Sequence, residues 1–148
     1  MNKSMADQVK ELQNDFRLMN VDARTNMQKA ILKACYAVET RAKRIVGRGR
    51  DEPSIDGKPP RVDTGRLRAS ITHRVVSNTE GSYGEVGTNV DYATKLEFGY
   101  SKANGKESWK HPFMQPALDF NEKKIAKLIE EGMNAAIESE SFNEDISE

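Results

Sequence analysis

Apolar residues near both ends of this chain recur every three or four positions, which commits most of it to two long amphipathic stretches of helix. Met5, Val9, Leu12, Phe16 and Met19 step along one face, and Met27, Ile31, Ala34 or Cys35, Val38, Ala42 and Ile45 continue the spacing. Asn20-Val21-Asp22 interrupts the run, with Asp22 placed to cap a second helix. That helix should stop at Gly47, helped by Lys43 and Arg44 in its last turn. Towards the other end a helix opens between Pro112 and Pro116 and should carry Leu118, Ile125, Leu128 or Ile129, Met133 and Ile137 on its inner face. From Ser139 onward the chain is acidic and reads as a frayed, disordered tail, which leaves residues 1–138 as a single domain.

The middle has a different period. Residues 47–62 hold three Gly and three Pro with almost nothing to bury, the composition of a long mobile loop. Thr64 can cap a tight turn through Gly65-Arg66-Leu67. From about Ala69 to Ser77, Ile71, His73 and Val75 alternate with Thr72, Arg74 and Val76, a strand pattern. Residues 78–82 have turn composition, and Tyr83 to Gly87 reads as the antiparallel partner strand. Asp91 to Phe98 is a short helix ended by Gly99, and residues 100–111 form a second polar, mobile loop. The fold class is therefore α+β: a long N-terminal helix, a small antiparallel sheet with a short helix, and a long C-terminal helix that helps cover the sheet on one face.

The 148 residues suffice for one domain, and with 36% hydrophobic against 31% charged residues its core is lean. A chain of this kind is expected to complete its burial by docking onto partners. Formal net charge is zero but unevenly placed. Residues 41–74 hold ten Lys or Arg and four acids, a net of +6, whereas residues 130–148 hold seven acids and no base. Cys35 is the one cysteine, so no intrachain disulfide can form, and a small core residue is the expected role. The first 16 residues lack the apolar segment of a signal peptide, and no apolar run approaches a membrane span, so a soluble protein made in a cytoplasm is expected.

No constellation for catalysis, metal or cofactor stands out. His73 and His111 are far apart, with no cysteine near either. Gly47-Arg48-Gly49-Arg50 lacks the Lys-Ser/Thr of a phosphate loop, and there is no Gly-x-Ser-x-Gly elbow. The basic segment allows one alternative, an accessory protein that contacts DNA phosphates by charge, with Arg48, Arg50, Lys58 and Arg61 as possible partner or DNA contacts. The segment has no aromatic stacking platform and no recognition-helix signature, which favours a solvated loop.

Three clusters carry further information: Val62-Asp63-Thr64-Gly65-Arg66-Leu67-Arg68-Ala69-Ser70-Ile71; then Gly87-Thr88-Asn89-Val90-Asp91-Tyr92-Ala93 with Leu96-Glu97-Phe98-Gly99; then His111-Pro112-Phe113-Met114-Gln115-Pro116-Ala117-Leu118. In this order and at these separations, over residues 23–137, the chain resembles the minor tail-component family of long-tailed bacteriophages and prophages, the neck or tail-completion proteins. The loop before Asp63 departs from the family pattern in its length and arginine content, and neither the first 20 residues nor the acidic tail takes part. The resemblance implies a non-enzymatic structural subunit at the head–tail junction, usually in a ring with DNA passing through its centre. Its partners would be the connector, the tail terminator or the tail tube.

The motif residues Asp63, Thr64, Gly65, Arg66, Leu67, Ser70, Tyr92, Glu97, Phe98, Gly99, Pro112, Phe113, Pro116 and Ala117 then serve the fold or an interface. Tyr92 has Leu96 one turn on, so it should lie nearer the core. Phe98 has only Thr94 and Lys95 one turn back and should lie nearer a rim. Glu97 is expected at a buried edge, paired with Arg66. Pro112 and Pro116 fix the start of the last helix.

Overall fold

A computed structural model describes residues 5–47, 65–78, 81–99, 105 and 110–144. Helix α1 spans Met5–Val46, α2 Arg66–Ser70, strand β1 Thr72–Ser77, β2 Ser82–Gly87, α3 Ala93–Phe98 and α4 Met114–Glu144. This is the α+β plan expected from the periodicity. Thr64 and all of the expected 47–62 loop except Gly47 lie outside the described residues, as does most of 100–109.

Helix α1 is one continuous element, where two segments broken at Asn20-Val21-Asp22 were expected. Those residues carry only modest helix penalties, well under 1 kcal/mol each, and no Gly or Pro stands among them. The Thr25 hydroxyl donates back to the Val21 carbonyl at 2.9 Å, so the turn closes on itself. The C-terminus falls where the sequence places it, with the Gly47 amide donating to Lys43 O at 3.0 Å.

Helix α4 runs antiparallel to α1. Asn121 Nδ2 donates to Ala37 O, the Arg41 guanidinium lies 3.7 Å over the Phe120 ring, and Gly132 abuts Ala30. A side chain at Gly132 would put its Cβ 2.7 Å from that of Ala30, so the axes approach over small residues. Small residues therefore make much of the inner face of α4: Ala117 and Gly132 are buried, together with Asn121. Leu118, Met133 and Ile137, expected inside, are exposed. The close approach rotates α4 so that its large side chains flank the seam.

The β-hairpin pairs Thr72 with Gly87 through Ser77 with Ser82 and lies against α1. Strand β1 starts three residues later than expected, because Ala69 and Ser70 belong to α2. The Ala69 amide donates to Gly65 O and the Ser70 hydroxyl to Leu67 O. Gly65 precedes this turn at φ 73°, a left-handed conformation that disfavours a side chain. The principal core joins Val38, Ala42, Ile45 and Val46 of α1 to Leu67, Ile71, Val90, Ala93, Phe113 and Ala117.

One polar cluster stiffens the α1–hairpin seam. Glu39 accepts from Lys43 Nζ at 2.5 Å and from His73 Nδ1, and Tyr36 meets the His73 ring edge-on. Burial raises the Glu39 pKa, but the hydrogen bonds from Lys43 and His73 outweigh it, and the net shift is downward from 4.5. A depressed folded-state pKa stabilises the fold above the unfolded-state value, and that contribution is lost as pH falls through the folded value. The free energy of unfolding should therefore drop as pH falls below about 4.5, and Glu39→Gln should flatten part of that drop in denaturant titrations run across pH.

Candidate docking site

The three sequence clusters meet in space and are bonded to one another. Val90 N–H donates to Thr88 Oγ1 at 3.2 Å, and Thr88 and Ser70 share a hydroxyl hydrogen bond of 2.5 Å. Because the Ser70 hydroxyl also reaches Leu67 O at 2.8 Å, one chain of hydrogen bonds ties the first cluster to the second.

Glu97 ties the second to the third. Its carboxylate accepts the backbone amides of Phe113 at 2.8 Å, Met114 at 3.0 Å and Gln115 at 2.9 Å. A helix leaves its first four N–H groups without partners. Here three point at one carboxylate, and the fourth position is Pro116, which has no N–H to satisfy. The negative charge also meets the positive end of the α4 dipole. Glu97 was expected to pair with Arg66; it caps α4 instead, because a carboxylate at a helix start can satisfy three converging donors at once. His111 N–H, donating to Leu96 O at 2.7 Å, docks the same crossing from the other side.

Most remaining motif residues serve packing. Leu67, Phe113 and Ala117 are buried, and Phe113 is only 1% exposed. Gly99 ends α3 at φ 74°. Pro112 is half-buried ahead of α4, and Arg66 is exposed. Tyr92 is exposed rather than near the core, because it stands just ahead of α3, where its side chain does not follow the helical stripe. Phe98, at 71% exposed, stands at the rim of an open groove. Asp63 and Thr64 lie outside the described residues, as do Arg48, Arg50, Lys58 and Arg61.

That groove encloses about 800 Å³. It runs between α1, β2, α3 and the first half of α4, lined by Met27, Ile31, Val86, Phe98, Leu118 and Ile129. Its wall depends on Gly84. A Cβ there would stand 2.2 Å from Cys35 Sγ and 2.8 Å from Ile31, so only glycine lets β2 lie this close to α1. Cys35 is buried beneath it, and burial pushes its thiol pKa up, as suits a packing residue rather than a nucleophile.

The sequence singled out neither the groove nor Glu39, Gly84 and Asn121. Gly84 interrupting a strand pattern is the signal that points to a close backbone approach. The groove's helical lining reads in sequence as ordinary core stripe. Chemically the groove offers apolar surface and one occupied carboxylate, and among the described residues no group of three or more His, Cys, Asp or Glu is placed to hold a metal. Of the described basic residues in 41–74, Arg41 covers Phe120, Lys43 bonds Glu39, and Arg74 bonds Glu85 at 2.5 Å.

Comparison with known families gives one match, to the model described as "Bacteriophage HK97-gp10, putative tail-component", over residues 3–99. It covers roughly two thirds of the chain and both the first and second motif clusters. It also takes in most of the first 20 residues, which carry no part of the sequence resemblance, and it stops before the third cluster. No curated protein and no solved structure matches the chain. With the three motif clusters tied together by hydrogen bonds and an apolar groove left open beside them, the chain belongs to the HK97-gp10-like family of structural phage tail components, and so to the virion.

Proposed function

We propose that the protein is a neck or tail-completion subunit that joins head to tail by docking, with no chemistry of its own. The observation that carries this reading is the division of labour among the motif residues. Ser70, Thr88 and Glu97 are spent on holding the fold, while Phe98 and Leu118 leave an apolar groove open. Open apolar surface on a small lean domain suits a part completed by its neighbours.

In this reading the subunits form a ring around the DNA channel, between the connector on one side and the tail terminator or tube on the other. They assemble in the host cytoplasm as a single domain with the acidic tail as an appendage. DNA in the channel is met only non-specifically. The test is imaging of particles made without this protein: complete heads and complete tails, unjoined, are expected. Normally joined particles, or heads with no tails formed at all, would overturn the junction role. Truncation after Ile137 should leave the fold intact but lower incorporation into particles, which quantitative protein gels of purified virions would read.

A further inference from the structure

One wall of the groove is a strand edge with no partner. The Asn78 amide donates to Gly81 O at 2.9 Å, which makes these two a hydrogen-bonded pair. Bonded and non-bonded pairs alternate along an antiparallel ladder, so Val76–Tyr83, Arg74–Glu85 and Thr72–Gly87 exchange the bonds that follow. The backbone N–H and C=O groups of Ser82, Gly84 and Val86 therefore point away from β1. Among the described residues no strand pairs with β2 on that side, and no other group bonds to these three backbone positions. Side chains at the same positions face α1, since a Cβ on Gly84 would meet Cys35 and Ile31.

The space beside that edge has the dimensions of one more strand. The hairpin lies lengthwise on α1: Gln28 Nε2 donates to Ser77 Oγ at 2.9 Å near one end, and Glu39 accepts from His73 near the other. Ser82 to Gly87 spans about 17 Å as a strand, and the groove floor from Met27 to Val38 spans about 16 Å as helix. Across the floor, Leu118, Ile125 and Ile129 of α4 form the opposite wall. A strand paired with β2 lays alternate side chains on this apolar floor and turns the others outward beside the exposed Tyr83. It also converts a two-stranded hairpin, marginal by itself, into a three-stranded sheet. A second copy's hairpin is not that strand. Both of its strands already lie on their own α1, a helix about 10 Å across, and α4 stands where that helix would have to pass.

We infer that the groove takes an extended arm of a partner protein, about five residues long, added to the free edge of β2 as a third strand. Backbone hydrogen bonds to Ser82, Gly84 and Val86 hold the arm, and the floor selects apolar side chains at its alternate, inward positions. Those inward residues carry no charge, because Glu97, the one carboxylate in the lining, is already engaged by three amides of α4. The inference rests on the docking reading above and names the form of one contact, and it is tested without particles.

The probe is a blocked peptide of alternating valine and threonine with a lysine at each end, titrated to about 1 mM into the full chain and followed by amide NMR and hydrogen exchange. In the free protein the amides of Ser82, Gly84 and Val86 should exchange fast, and those of Tyr83 and Glu85 slowly. The peptide should slow the first three at least tenfold and leave the other two unchanged. A strand turns only every second amide to its partner. N-methylation of one alternate set of peptide amides should therefore abolish binding, and methylation of the other set should weaken it less than threefold. A peptide of the same composition with its valines together should bind at least tenfold more weakly. Phe98→Gln with Leu118→Gln, both at exposed positions, should also weaken binding at least tenfold. If that pair lowers the unfolding midpoint, Leu118→Ala replaces it and should weaken binding at least threefold. No binding over this range overturns the proposal. So does equal binding by the grouped peptide or by the groove variant. Equal tolerance, or equal loss, with the two methylated peptides overturns it as well, being the sign of a mode other than strand pairing. Protection of Ser82, Gly84 and Val86 before peptide is added overturns it too: constant with protein concentration it marks cover by the chain itself, and rising with concentration it marks a second copy. Failure of the particle test alone would remove the junction role and leave this contact standing.

Discussion

Replacing Phe113 with alanine should lower the stability of the protein by about 3–5 kcal/mol, the largest effect expected of any single substitution considered. Phe113 is 1% exposed and sits in the principal core among residues from α1, α2 and α3. The loss has two parts: the transfer free energy of the ring, and the cavity left among neighbours that relax only partly. For a domain of this size the thermal midpoint should fall by roughly 10–15 °C. Leu128, only half-buried, should cost less when cut back to alanine. The exposed Glu122→Gln should stay within about 0.5 kcal/mol of the parent. Chemical denaturation followed by circular dichroism measures all three. Comparable small losses at Phe113 and Glu122 would mean that the start of α4 is not part of the core.

The second large effect belongs to Glu97. Glu97→Ala strips the shared acceptor from three backbone amides at the start of α4 and should cost about 2–3 kcal/mol, the range for hydrogen bonds to a charged group. Glu97→Gln is the more informative variant. Its amide keeps one oxygen but turns an NH₂ towards donors, so it should recover about half the loss. Hydrogen exchange gives the independent reading. Amides 113–115 should exchange faster in both variants, while amides in the middle of α1 keep their protection. If the loss is instead spread evenly over the molecule, Glu97 is a packing residue and not a cap.

Much of the architecture was legible along the chain, for a local reason. Helix and strand periods, the stop at Gly47, the αL turn at Gly65 and the end of α3 at Gly99 depend on steric and hydrogen-bonding preferences that act over a few neighbouring residues. The family, too, was visible in the order of three short clusters. Where local reasoning failed, a weak local preference met a stronger tertiary demand. Asn20-Val21-Asp22 looked like a break, yet its penalty is small beside that of ending an amphipathic helix in mid-stripe. Leu118, Met133 and Ile137 looked buried because they share the helical spacing, but the approach at Gly132 gave the inner face to small residues and turned those three outward.

The candidate site shows the same division. Helical spacing by itself committed Met27, Ile31 and Ile129 to an apolar face, and nothing in it states whether that face is covered. Coverage is settled by how far α4 extends along α1 and how closely β2 lies on it, and both follow from contacts between residues dozens of positions apart. Likewise Glu97 is simply an acid at the end of a short helix until α4 begins beside it. Its role as a cap exists only because the chain returns at Phe113 with three unpaired amides, and the burial of Phe113 holds those amides in place.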